Sequence, residues 1–183
     1  MNSKTMFVLI GFVITAASAL AQVKSITSIK GESSATYLLI HPMHRIEAIS
    51  KEVLYTASVD VGSKTISAVT AAVDVTSFDS GNSNRDSHAM EVVDALSYPE
   101  VTFSSVSIIP QNNGLAVQGK LTFHGITSDV TAMATPEWTQ DKLVVHAAFP
   151  LSLTTFKVER PALLFIPVKD TLRFTLTAAF SLK

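Results

Sequence analysis

Three stretches of this 183-residue chain repeat with a period of two, and that period limits the fold more than any other feature. Leu115, Val117, Gly119, Leu121 and Phe123 alternate with Ala116, Gln118, Lys120 and Thr122. Leu143, Val145, Ala147 and Phe149 alternate with Val144, His146 and Ala148. Leu172, Phe174, Leu176, Ala178 and Phe180 alternate with Arg173, Thr175, Thr177 and Ala179. Successive side chains on a strand point to opposite faces, so each stretch predicts a strand with one face inward and one outward in an antiparallel sheet. Residues 36–40, 45–50, 53–61, 65–75, 101–109 and 126–134 also read as strands, several rich in β-branched residues.

The connections carry turn chemistry. Gly62-Ser63-Lys64 suits a short hairpin, and Gln111-Asn112-Asn113-Gly114 a tight one, because Asn-Gly adopts positive φ readily. His124-Gly125 and Thr139-Gln140-Asp141 join further strands. Between Phe78 and Phe103 the pattern changes. A turn cluster at Ser80–Ser83 precedes Asn84, Asp86 and Ser87, any of which can cap a helix, and Met90, Val93 and Leu96 recur at helical spacing. Pro99 stops the helix. Many short strands, regular turns and one short helix define an all-β domain, either a sandwich or a closed barrel.

Met1–Ala21 has the three parts of a secretory signal peptide: Lys4, an apolar run from Met6 to Ala17, and Ala19-Leu20-Ala21 as the cleavage site. The mature chain is therefore expected to start at Gln22 and to be periplasmic or secreted. Its first residues, 22–35, read as a loose lead-in to a domain over 36–183. No cysteine is present, so neither a lipoprotein anchor nor a disulfide is available. A net charge of −1 gives no reason to expect a nucleic-acid partner or an acidic membrane surface.

The run Arg85-Asp86-x-His88-x-Met90, then Tyr98-Pro99-x-Val101-x-Phe103, Gly119-Lys120-Leu121-Thr122-Phe123 and His124-Gly125-Ile126-Thr127, resembles the YceI-like family. The resemblance covers residues 36–180. It implies a lipocalin-like antiparallel β-barrel of about eight strands with one short helix, which takes up long polyisoprenoids or related lipids. The chain departs from the family at Leu39-Ile40-His41-Pro42-Met43-His44-Arg45, where the usual opening is Asp-x-x-His-Ser. That departure weakens the inference about the ligand more than the inference about the fold.

A barrel of about eight strands is either filled by side chains or holds one small ligand. Small residues at inward positions, Ala132, Ala134, Ala147, Ala178 and Gly119, favour a channel. Its expected lining is Phe103, Leu121, Phe123, Ile126, Phe149, Phe156, Phe165 and Phe174, with Arg85 and His88 at a polar rim. Arg85 and Asp86 are also expected to fasten the loop, Arg85 through a carboxylate. The apolar run Leu163-Leu164-Phe165-Ile166, bounded by Pro161 and Pro167, is either a flap at the pore entrance or a loop packed on the outside. The histidines are scattered and no nucleophile elbow is present, so no catalysis, cofactor or metal is expected. The expected role is a carrier of a long apolar molecule such as a polyisoprenoid or isoprenoid quinone. Transient contact with a membrane or a loading partner would accompany it, and a homodimer stays open. The alternative is a non-catalytic structural or interaction protein with a filled barrel.

Overall fold

The computed structural model describes residues 22–183; the expected signal peptide lies outside them. In chain order the main strands are β1 (Val23–Thr27), β2 (Ser34–His41), β3 (His44–Ser50), β4 (Leu54–Asp60), β5 (Thr65–Asp74), β6 (Glu100–Gln111), β7 (Gly114–Phe123), β8 (Ile126–Trp138) and β9 (Lys142–Ser152). Two short strands, β10 (Ala162–Leu163) and β11 (Ile166–Pro167), precede β12 (Thr171–Ser181). Helix α1 spans Ser83–Val92.

Ten strands form one antiparallel sheet in the order β1-β4-β5-β6-β7-β8-β9-β12-β2-β3, and β10 pairs with β11 alone. The sheet curls into a barrel. Its ends are tied by bridges between Ser28 and Phe180 and between Ile49 and Asp79. The barrel has ten strands instead of about eight, in part because the expected lead-in is not loose. Val23–Thr27 pairs with Thr56–Asp60, and only Ile26 of that strand is buried. One inward residue is too weak a pattern to read, yet the backbone ladder suffices to fix an edge strand.

The three alternating stretches behave as their period requires. Their apolar sets face the interior on β7, β9 and β12. Two β-bulges shift the phase elsewhere. On β5, Ser67 is left out of the pairing with β4, so Ile66 and then Val69, Ala71 and Val73 face inward. On β6, Val106 is left out of the pairing with β7 and points to solvent, 74% exposed. The Val69 N–H, beyond the last β5–β6 pair, donates to Ser105 Oγ at 2.9 Å.

Two buried clusters flank the interior. One joins β1, β4, β9 and β12 through Ile26, Tyr55, Val59, Leu143 and Phe180. The other joins β7, β9, the 153–168 segment and β12 through Leu121, Phe123, Leu151, Phe156, Val168 and Leu172.

Candidate functional site

Between the two clusters lies a cavity of about 630 Å³, so the interior is not filled. That volume is within the range of small-molecule sites. The wall is built by the inward positions of the long strands. Ala134 on β8 and Ala147 on β9 are directly paired, and Leu176 on β12 pairs with Ala147 on its other side. Ala132 and Ala178 also line the wall. These short side chains leave the room that larger ones would fill. Gly119 does not add to it: a Cβ there would come within 2.4 Å of both Phe103 Cζ and Ser104 O, so the Phe103 ring already occupies the glycine's place.

Of the expected lining, Phe103, Leu121, Phe123, Phe149 and Phe174 do line the cavity. Phe149 and Phe174, paired across β9 and β12, stack with ring centroids 5.2 Å apart. Three expectations fail. Ile126 packs beside the second cluster. Phe156 is 2% exposed and sits behind Phe123, ring centroids 5.7 Å apart. Phe165 is fully exposed at the β10–β11 turn. Strand phase directs an aromatic ring to the cavity only along a long strand, and neither Phe156 nor Phe165 lies on one.

Two tyrosines, not expected from the sequence, reach the cavity. Tyr55 donates to Ser34 O at 2.9 Å, and burial pushes its phenol pKa well above the ordinary value. Burial also raises the Tyr37 phenol, with Asp86 adding to the rise and Arg85 opposing it. Both phenols therefore stay neutral. Regular period-two spacing on β2 and β4 was the signal for them.

The exposed lining residues His44, Asn84, His88, Ala162 and Leu163 mark where the cavity meets solvent. Two elements cover that mouth. The first is α1 with the loop before it. Asn82, not Asn84, Asp86 or Ser87, caps the helix by accepting from the Arg85 N–H at 3.1 Å. Asp86 accepts from the Ser80 N–H and hydroxyl, and the Arg85 guanidinium donates to Ser80 Oγ at 2.8 Å and Ser80 O at 2.6 Å. The fastening expected of this pair thus converges on Ser80, and no carboxylate pairs with Arg85 among the described residues. His88 lies at the rim, 3.7 Å from Glu91 and largely in solvent. Leu96, expected on the helix, lies beyond it and is fully exposed.

The second cover is the β10–β11 hairpin. Pro161, Ala162 and Leu163 face the cavity, which settles the segment as a flap at the mouth. Its base is tied by Val168 N–H to Pro161 O, by Lys169 N–H to Ile40 O, and by the Arg160 guanidinium on Val168 O. His41, 2% exposed, completes the tie. The Met43 N–H donates to its Nδ1 at 3.1 Å, so the ring proton sits on Nε2 and is donated to Ile166 O at 2.9 Å.

The other histidines do not gather. His124 bonds Phe156 O through Nδ1 at 2.9 Å and packs edge-on to Tyr98. Only His41 and His44 have neighbouring rings, with centroids 4.9 Å apart. Among the described residues, no three of His, Asp and Glu are placed to hold a metal ion.

A curled antiparallel barrel with an apolar interior cavity, roofed by one helix and one hairpin, is the class of protein that these features define. The YceI-like domain description matches residues 18–180, and the chain belongs to that family. Relatives include the UPF0312 protein of Vibrio campbellii, 42% identical over 71 residues, and protein YceI of Escherichia coli O157:H7, 32% identical over 68 residues. These matches span 38% and 36% of the relatives' own lengths. Among solved structures, Burkholderia cenocepacia BcnA superposes with a TM-score of 0.74 at 21% identity, covering 83% of this chain and 98% of its own. A polyisoprenoid binding domain from Saccharophagus degradans superposes with a TM-score of 0.62 at 8% identity, covering 87% and 99%. At these identities the likeness is one of fold.

Proposed function

We propose that this protein is a periplasmic or secreted carrier that holds a long apolar molecule, such as a polyisoprenoid or isoprenoid quinone, without catalysing a reaction. The carrying observation is the cavity of about 630 Å³ with its wall of Ala132, Ala134, Val145, Ala147, Leu176 and Ala178. A chain entering it gains roughly 0.8 kcal/mol for each CH₂ removed from water, so binding needs no polar contact along the tail. On this reading Arg85 and His88, with His44 beside them in the lining, would meet a ligand's polar head at the mouth. Family membership and the fold shared with a polyisoprenoid binding domain support the same reading.

The test is native mass spectrometry of the mature protein purified from its own host, together with the double variant Ala134→Leu/Ala147→Leu. The wild type should carry an apolar molecule. The variant, which fills the wall while keeping the barrel, should lose at least about tenfold in occupancy, equivalent to 1.4 kcal/mol. A wild type that carries nothing apolar, or a filled variant that carries as much, overturns the proposal.

A further inference from the structure

The β10–β11 hairpin turns its apolar tip away from the protein. Leu163, Leu164, Phe165 and Ile166 are 46%, 70%, 102% and 44% exposed. The two tip residues, Leu164 and Phe165, have φ of 52° and 66°. A two-residue turn of this kind favours Asn-Gly, and bulky apolar residues there are strained. Among the described residues no packing compensates, since the Phe165 ring is fully exposed. Met43, 62% exposed, stands beside the tip, because His41 links the Met43 N–H to the Ile166 carbonyl. The chain thus presents a contiguous apolar knob, which monomeric soluble domains rarely expose without use.

Charge surrounds the knob. Lys157, Arg160 and Lys169 belong to the segment that carries the hairpin, and Arg45 pairs opposite Ile40, whose carbonyl accepts from the Lys169 N–H. Against these four cations the same stretches hold three carboxylates, Glu47, Glu159 and Asp170. Asp170 is engaged by Ser152 and Thr154. Among the described residues no salt bridge engages Arg45, Lys157 or Lys169.

We infer that the hairpin docks this protein on an anionic lipid bilayer. Leu164, Phe165 and Met43 enter the interface, and Arg45 and Lys169 meet the lipid phosphates. Leu163 is part of both the knob and the cavity lining, so the docked face is also the mouth, and an apolar molecule would pass between bilayer and barrel without crossing water. That purpose rests on the carrier reading; the docking itself does not.

The test is co-sedimentation of the mature chain with vesicles of phosphatidylethanolamine and phosphatidylglycerol, beside vesicles of phosphatidylcholine. The wild type should bind the anionic vesicles and weaken with added salt. Leu164→Ser/Phe165→Ser, which leaves the cavity wall intact, should lower binding by about tenfold or more with an unchanged circular dichroism spectrum. Arg45→Gln/Lys169→Gln should lower it several-fold on anionic vesicles alone. Ala134→Leu/Ala147→Leu should bind vesicles as the wild type does while losing its apolar passenger, which separates failure of docking from failure of carriage. A wild type that stays in the supernatant overturns the inference. So does a tip variant that binds equally well, or a tip-dependent dimer that forms in place of vesicle binding.

Discussion

The wall of the cavity and its mouth enclose one space by different means. The wall is made of long strands paired along most of their length, with bulges at Ser67 and Val106, and on β7, β9 and β12 its inward apolar residues alternate with outward ones. The mouth is roofed by a ten-residue helix with no buried residue and by a hairpin of two-residue strands. Its cohesion comes from polar side chains bonded to backbone: Asp86 and Arg85 on Ser80, Arg160 on Val168, His41 on Ile166. A wall built by packing resists change in volume, whereas a roof built from single hydrogen bonds is released one bond at a time. The barrel can thus stay folded while its cover moves.

If that contrast is right, the largest effect should come from the wall. Gly119→Ala places a methyl group 2.4 Å from the Ser104 carbonyl, which belongs to the paired strand and cannot turn away. The Phe103 ring must also shift into the cavity. A loss of about 2–3 kcal/mol in urea unfolding is expected, typical of overpacking against backbone. An unchanged midpoint would mean that the wall yields, and the contrast would fail.

The mouth should respond less, and locally. His41→Ala removes the partner of the Ile166 carbonyl and of the Met43 N–H, both at part-buried positions, at a cost of about 0.5–1.5 kcal/mol for each hydrogen bond lost. Amide exchange should rise at residues 161–168 and stay unchanged on β7–β9. His41→Gln keeps a donor for Ile166 and should recover part of the loss. Exchange that rises uniformly across the barrel would show that hairpin and wall unfold as one unit.

The same division explains what the sequence made legible. The wall could be read because period two states which way each residue points, and Ala132, Ala134, Ala147 and Ala178 were placed correctly on that basis alone. Where a bulge resets the phase, as at Ser67 and Val106, the pattern still shows the reset in hindsight, since apolar residues move from even to odd positions on β5 and from odd to even on β6. The mouth was legible only in composition. Nothing in Leu163–Ile166 tells a turn at positive φ from a buried run, so Phe165 was assigned inward although it points out. His41 reads as one of several scattered histidines, and its role emerges only when Ile166, 125 positions away, comes within 2.9 Å. Val23–Thr27 was missed for another reason: its stability comes from backbone pairing to β4, which leaves almost no mark on side-chain choice.

The smallest test distinguishes a tether of the roof from the packing beneath it. Asp170 lies just before β12 and accepts from Ser152 Oγ at 2.6 Å and from the Thr154 N–H at 2.9 Å. The Ser152 hydroxyl is the main cause that holds its carboxyl below the ordinary value of 3.8, with the Thr154 bonds and Arg160 also lowering it. A depressed carboxylate pKa means that the folded state binds fewer protons than the unfolded chain. The tether therefore contributes in full above about pH 4–5 and is lost as pH falls through the lowered value. Wild type should be more stable than Asp170→Asn near neutral pH, by a small margin because the group is partly exposed, and the two curves should converge as the pH drops below the ordinary carboxylate range. Convergence without any change in amide exchange on β7–β9 would place Asp170 with the roof. Curves that stay parallel down to acid would mean that Asp170 acts through packing, and the mouth would then be held by the same means as the wall.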